Sequence, residues 1–145
     1  MTTPQNRETV RRIQVAMATA YTSAGAWYLP PLSRPFLRLS LAPAFFNQAY
    51  TTQLLMQCFG AQAMTVGLLL GVSDMTVKSF TCFGLAMVPY LGFNVWFLGG
   101  PGRGVFSRWL WADFVGNIVF FGGSLVAAKL LRDDDTKSKE TRKEK

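Results

Sequence analysis

The stretch that decides the fold is Trp109-Leu110-Trp111-Ala112-Asp113-Phe114-Val115-Gly116-Asn117-Ile118-Val119-Phe120-Phe121-Gly122-Gly123-Ser124-Leu125-Val126-Ala127-Ala128-Lys129-Leu130-Leu131, in which Asp113 and Lys129 are the only ionisable groups. A bilayer core about 30 Å thick needs about 20 residues of helix, because backbone N–H and C=O groups in lipid must be satisfied within the segment. Residues 109–131 meet that length and predict a membrane-spanning helix. Immediately downstream the character reverses. From Arg132 onward the chain is mostly charged, and residues 133–145 contain no hydrophobe. Such a segment buries too little apolar surface to offset the entropy of ordering, so it reads as a disordered tail.

Upstream, residues 53–72 and 79–98 are apolar over the same length. A fourth stretch, residues 13–29, is shorter and rich in Ala, Thr and Ser. By itself it fits a span, an interfacial helix or, with its basic start and Ala24-Gly25-Ala26, a signal segment cleaved before Trp27. Charge separates these readings, because Lys and Arg concentrate in short cytoplasmic loops and tails. If residues 13–29 cross, one side carries Arg7, Arg11, Arg12, Lys78 and the seven basic residues from Lys129 onward, eleven in all, against four on the other, Arg34, Arg38, Arg103 and Arg108. If they do not cross, the division is seven against eight and the bias disappears. The expected class is therefore an all-α integral membrane four-helix bundle with both ends cytoplasmic, residues 1–132 forming the bundle and 133–145 the tail. Composition agrees: half of the 145 residues are apolar and 16% are charged, against about 25% charged in soluble domains.

The punctuation matches these boundaries. Pro30, Pro31 and Pro35 end the first helix, since each lacks a donor and restricts the residue before it. Residues 36–41 place apolar side chains beside Arg34 and Arg38, which suits a short helix lying on the membrane surface. The run from Gly99 to Gly104 breaks the chain before the last span. Trp27, Tyr28, Tyr50, Trp96, Trp109 and Trp111 all fall near expected span ends on the non-cytoplasmic side, as an interfacial aromatic belt requires.

Several spans carry polar faces. Gln53, Gln57, Gly60, Met64, Gly67 and Gly71 recur at spacings of three and four and share one helix face. Gly67 and Gly71 make a G-x-x-x-G step that permits close backbone approach, so this face reads as a packing seam. Gln62 points away from it, toward a second neighbour or an oligomer contact. In the last span Asp113, Asn117, Phe120, Ser124 and Ala127 share a face. Asp113 is the only acid inside an expected span, and an ionisable group at that depth is a functional candidate by default. It also lies in the first turn, where the helix dipole favours an acid and where Arg34, Arg38, Arg103 or Arg108 could pair with it. In the third span Pro89 predicts a kink, with Tyr90 and Asn94 just beyond. Asp113, Tyr90, Asn94 and Asn117 are thus the candidate catalytic residues, and with Gln53 and Gln57 they could line a pocket in the non-cytoplasmic half.

Other chemistry is missing from the sequence. There is no histidine, the commonest general base and metal ligand, and no metal or cofactor site is expected. Cys58 and Cys82 fall inside spans and read as buried, inert thiols rather than a disulfide or redox pair. The glycine-rich connection lacks the Lys-Ser/Thr ending of a phosphate loop. The net charge of +7 flanks spans instead of forming a stripe with aromatic platforms, so anionic lipid and not nucleic acid is the expected partner.

The run Gln57-Cys58-Phe59-Gly60-Ala61-Gln62-Ala63-Met64-Thr65-Val66-Gly67-Leu68-Leu69-Leu70, after a first helix ending in prolines, resembles the second helix of small four-span DoxX-like membrane proteins. That resemblance implies a four-helix bundle and no particular activity. Met87-Val88-Pro89-Tyr90 followed by Asn94 is similar to the Pro and Asn pattern of fungal anthrone-oxygenase-like enzymes, which implies a place in secondary metabolism. The ending Arg142-Lys143-Glu144-Lys145 is similar to dibasic signals that return membrane proteins to the endoplasmic reticulum. Two functions remain open at the sequence level. One is an accessory or scaffold protein packing its Gly and Gln faces against itself or a membrane-protein partner. The other is a cofactor-independent enzyme acting on a lipophilic small molecule, with Asp113 as acid or base.

Overall fold

The computed structural model describes residues 4–46 and 50–143. It is all-helical: α1 (Pro4–Trp27), α2 (Ser33–Ser40), α3 (Tyr50–Val72), α4 (Val77–Ala86), α5 (Val88–Leu98) and α6 (Leu110–Lys143). Thr76 caps α4, its hydroxyl accepting from the Ser79 N–H at 3.1 Å, which satisfies one of the donors a helix start leaves over. The interruption between α4 and α5 falls at Met87, two residues before Pro89, which occupies the first turn of α5. Proline is tolerated there because it has no N–H to leave unpaired. The two pieces make one apolar rod, Val77–Leu98.

Three rods are long and apolar enough to cross a membrane: Tyr50–Val72, Val77–Leu98 and Leu110–Thr136. Only 17%, 17% and 22% of their apolar windows are buried inside the protein, so most of that surface needs lipid to cover it. Leu55, Leu68, Leu69, Val95, Val115 and Val119 all point outward. The chain therefore has the character of a multi-pass membrane protein in contact with the bilayer. Among the described residues three such rods, not four, meet the length and hydropathy requirement, because the first half of α1 carries Arg7, Glu8, Arg11 and Arg12.

The rods pack in the order α3, α1, α6 and α4–α5, with α1 and α6 central. Across the α1–α3 seam, Ala18, Thr22 and Gly25 run antiparallel to Gly71, Gly67 and Gly60. A Cβ on Gly67 would stand 2.9 Å from the Ala18 carbonyl and closer still to Thr22, so only glycine allows this approach. Gln14, buried on α1, donates to the carbonyls of Leu70 at 2.6 Å and Ser73 at 2.8 Å. Arg11 donates to the Gly71 carbonyl at 3.2 Å. Together they satisfy carbonyls that the end of α3 leaves without helical partners. Two apolar clusters fill the interior: Met17, Ala18 and Leu70 toward the middle, and Val10, Phe80, Ala127 and Ala128 toward the end where α1 begins.

This antiparallel arrangement brings Trp27, Tyr28, Tyr50, Trp96, Trp109 and Trp111 to one end of the molecule. Two loops close that end, with Ala42 N–H bonded to the Val105 carbonyl at 3.0 Å and Ser107 N–H to the Ser40 carbonyl at 2.9 Å. Helix α2 lies there with Leu37 buried and Arg34 and Arg38 exposed. The opposite end holds the start of α1, the α3–α4 turn and the far half of α6.

At two places the structure differs from the sequence expectation. Disorder of the tail from 133 onward is not shown: α6 continues as helix to Lys143, and Glu144 and Lys145 lie outside the described residues. Its Lys, Glu and Arg residues are good helix formers, a long helix already nucleates it, and Asn6 ties it to α1 by donating to Asp134 at 2.8 Å. Cys58 and Cys82 are free but exposed on outer faces, not buried; the interior space is taken by the glycine seam and by Phe80.

Candidate functional site

The polar residues of α5 and α6 meet where the end of α5 passes the beginning of α6. Asn94, fully buried, donates through Nδ2 to Asp113 Oδ2 at 2.7 Å. Asn117, one turn after Asp113, donates to Asn94 Oδ1 at 2.8 Å and to the same Asp113 Oδ2 at 3.1 Å. Each amide thus meets a partner and the carboxylate receives two N–H donors on one oxygen. Hydrogen bonds to a charged acceptor are the stronger kind, and in a low-dielectric interior a closed network of this sort holds two helices in one register. Asp113 itself is exposed at the edge of the cluster, and among the described residues its Oδ1 takes no hydrogen bond.

Of the four expected site residues, Asn94, Asp113 and Asn117 come together and Tyr90 does not. Tyr90 is 43% exposed on α5, one turn before Asn94 and turned outward. Gln53 also lies elsewhere, its Oε1 3.4 Å from Arg34 Nε. None of the four arginines pairs with Asp113 among the described residues. Arg38 instead sits over the Phe46 ring at 5.4 Å. The acid is held by amides because Asn94 and Asn117 reach it from within the bundle, whereas Arg34 and Arg38 lie on α2 and Arg103 and Arg108 in the loop before α6.

At the same junction of α5 and α6, Phe97, Leu98, Phe106, Leu110 and Trp111, with Arg103 and Arg108, line a cleft of about 300 Å³ that none of the three cluster residues enters. Tyr21 of α1, absent from the sequence-level candidates, fills the centre of the bundle. Its ring lies 4.8 Å from that of Phe120 and 5.8 Å from that of Phe83, and its hydroxyl donates to the Met87 sulfur at 3.4 Å. Gln14 was likewise missed. Its signal was its place on the face shared by Val10, Met17 and Ala18, where a lone amide needs a buried acceptor.

Fold and site together describe an all-helical protein with three candidate membrane spans among the described residues and an amide–carboxylate cluster between α5 and α6. No family model, no curated protein and no solved structure matches the chain.

Proposed function

We infer that the chain is an accessory component of a membrane, structural in its action rather than catalytic, with four crossings and both termini on one side. The observation that carries this reading is the mutual satisfaction of Asn94, Asp113 and Asn117. Both amides and one carboxylate oxygen are engaged within the cluster, as a clamp between α5 and α6 requires, and Tyr90 is turned outward, away from it. The fourth crossing is supported by the packing of α1, which runs antiparallel to α3 from Gln14 to Tyr28. At 1.5 Å per residue that segment is about 20 Å long, most of a bilayer core. The charge pattern supports it too, since this packing places Arg7, Arg11, Arg12, Lys78 and Lys129 toward one end and Arg34, Arg38, Arg103 and Arg108 toward the other.

The glycine face of α3 cannot be the docking surface of such a component, because α1 of the same chain covers it. A fold of the DoxX-like kind, and residence in the endoplasmic reticulum through the dibasic ending, remain parts of the proposal that rest on sequence resemblance.

The second reading, an enzyme acting on a lipophilic molecule, draws on one observation: Asp113 is exposed and begins the same helix whose Leu110 and Trp111 line the aromatic cleft. Replacement of Asp113 decides between them. In Asp113→Asn a carbonyl oxygen still accepts both amide donors, so the clamp survives while the acid is gone. The accessory reading expects this variant to restore a strain lacking the gene to wild-type behaviour, and Asp113→Leu to fail. Loss of function in a folded, normally accumulating Asp113→Asn protein would overturn it in favour of the enzyme.

A further inference from the structure

The side of α3 turned away from α1 carries a second pattern. Leu55, Cys58, Gln62, Thr65, Leu69 and Val72 follow one another at spacings of three and four, the repeat of a helix–helix seam, and all six are exposed. Leu55 is 66%, Leu69 58% and Val72 80% exposed. Thr65 returns its hydroxyl to the Ala61 carbonyl at 2.9 Å, which leaves Gln62 as the polar group of the stripe with no hydrogen bond among the described residues.

Its depth makes that amide costly. Gln62 lies twelve residues from Tyr50 and ten from Val72, about 15 to 18 Å from either end of the helix, near the middle of the hydrocarbon. A carboxamide without partners is disfavoured in an apolar medium, and a glutamine side chain is too short to reach the headgroups from there.

We propose that this stripe is the interface of a parallel homodimer, in which Gln62 of one copy hydrogen-bonds Gln62 of the other across a two-fold axis along the membrane normal. Two copies inserted with the same topology place equal residue numbers opposite each other at equal depth, an isologous contact. Such a contact demands that the central polar group be its own complement. A carboxamide is, with one acceptor and two donors, whereas a lone acid or lysine would meet its own charge. A single polar residue within an otherwise apolar three-and-four repeat is also the arrangement that fixes register and number of strands in paired helices. The opposite face of α3 is already filled by α1, so the dimer adds a helix pair without disturbing the seam inside each chain. The proposal rests on the accessory reading for its purpose and on α3 alone for its geometry.

Cys58, one turn before Gln62 on the same stripe, is a built-in probe. In phosphatidylcholine vesicles, mild copper-phenanthroline oxidation of the Cys82→Ser chain is expected to give a disulfide-linked dimer through Cys58, and that of the Cys58→Ser chain is not. Gln62→Leu in the Cys82→Ser background is expected to raise the dimer dissociation constant about tenfold, which at protein-to-lipid ratios near half-dimerisation lowers the dimer fraction about threefold. Gln62→Asn is expected to keep more of the dimer than Gln62→Leu. Because position 62 is on the outer face, circular dichroism should report the same helicity in all of these chains. Sedimentation in detergent supplies the second measure of dimerisation. A monomer by sedimentation, cross-linking through Cys82 instead of Cys58, or a dimer indifferent to Gln62→Leu would each overturn the proposal. Should the dimer fail while Asp113→Asn still restores function, the accessory reading stands without it. Should the dimer hold while Asp113→Asn is inactive, only the accessory reading falls.

Discussion

At the scale of single residues, the molecule is governed by what happens to amides and glycines where water is scarce. Removing the Asn94 side chain takes a donor from Asp113 and an acceptor from Asn117, leaving buried polar groups short of partners. Asn94→Leu is expected to destabilise the protein by about 1–2 kcal/mol, read as a lower midpoint of thermal unfolding in detergent, whereas Asp113→Asn stays near wild type. Gly67→Leu drives a branched side chain into the backbone of Ala18 and Thr22 and is expected to prevent accumulation. Gly116→Ala, where nothing lies within 4 Å of the added Cβ, serves as the neutral control. The spacing of Asp113 and Asn117 by one turn was legible in the sequence. Their meeting with Asn94 was not, because it depends on how far α5 slides along α6, which no local pattern encodes. Tyr90 shares a face with Asn94 by spacing alone, yet the helix is rotated so that Asn94 takes the interior and Tyr90 the outside.

At the scale of elements, the three apolar rods announce themselves through length and hydropathy, and Pro89 announces the break between α4 and α5. Two helix ends escape that signal for the same reason. Helix α1 begins at Pro4, well before the apolar stretch, and α6 runs to Lys143, well beyond it. Charged residues lower hydropathy without opposing helix, so an apolar window marks the membrane crossing and not the helix. At 34 residues α6 is about 50 Å long, about 20 Å more than the hydrocarbon needs. The contact between the two overhanging ends, Asn6 to the buried Asp134, explains why the extension stays helical. Asn6→Ala is therefore expected to raise backbone hydrogen exchange from Arg132 to Glu140 while leaving Trp111 to Leu125 unchanged. Equal protection in both proteins would show that helix propensity alone maintains the extension.

At the scale of the whole molecule, the packing order accounts for where polar groups are found. The two central rods, α1 and α6, contribute Gln14, Asn117 and Ser124 to the interior, and α5 adds Asn94 where it faces α6. The antiparallel course of α1 beside α3 decides the topology. If α3 crosses the membrane, α1 lies at the same depth for most of its length, and an amphipathic helix resting on the surface would have to leave Gln14 and the glycine seam behind. The topology thus turns on whether α1 crosses. It is tested most directly in a chain with Cys58→Ser and Cys82→Ser, by placing single cysteines at Arg7, Ala44, Asp74, Arg103 and Lys139 and labelling sealed, oriented vesicles with a membrane-impermeant maleimide. The cysteines at Arg7, Asp74 and Lys139 are expected to react from one side, and those at Ala44 and Arg103 from the other. Reaction of Arg7→Cys from the same side as Ala44→Cys would contradict the account.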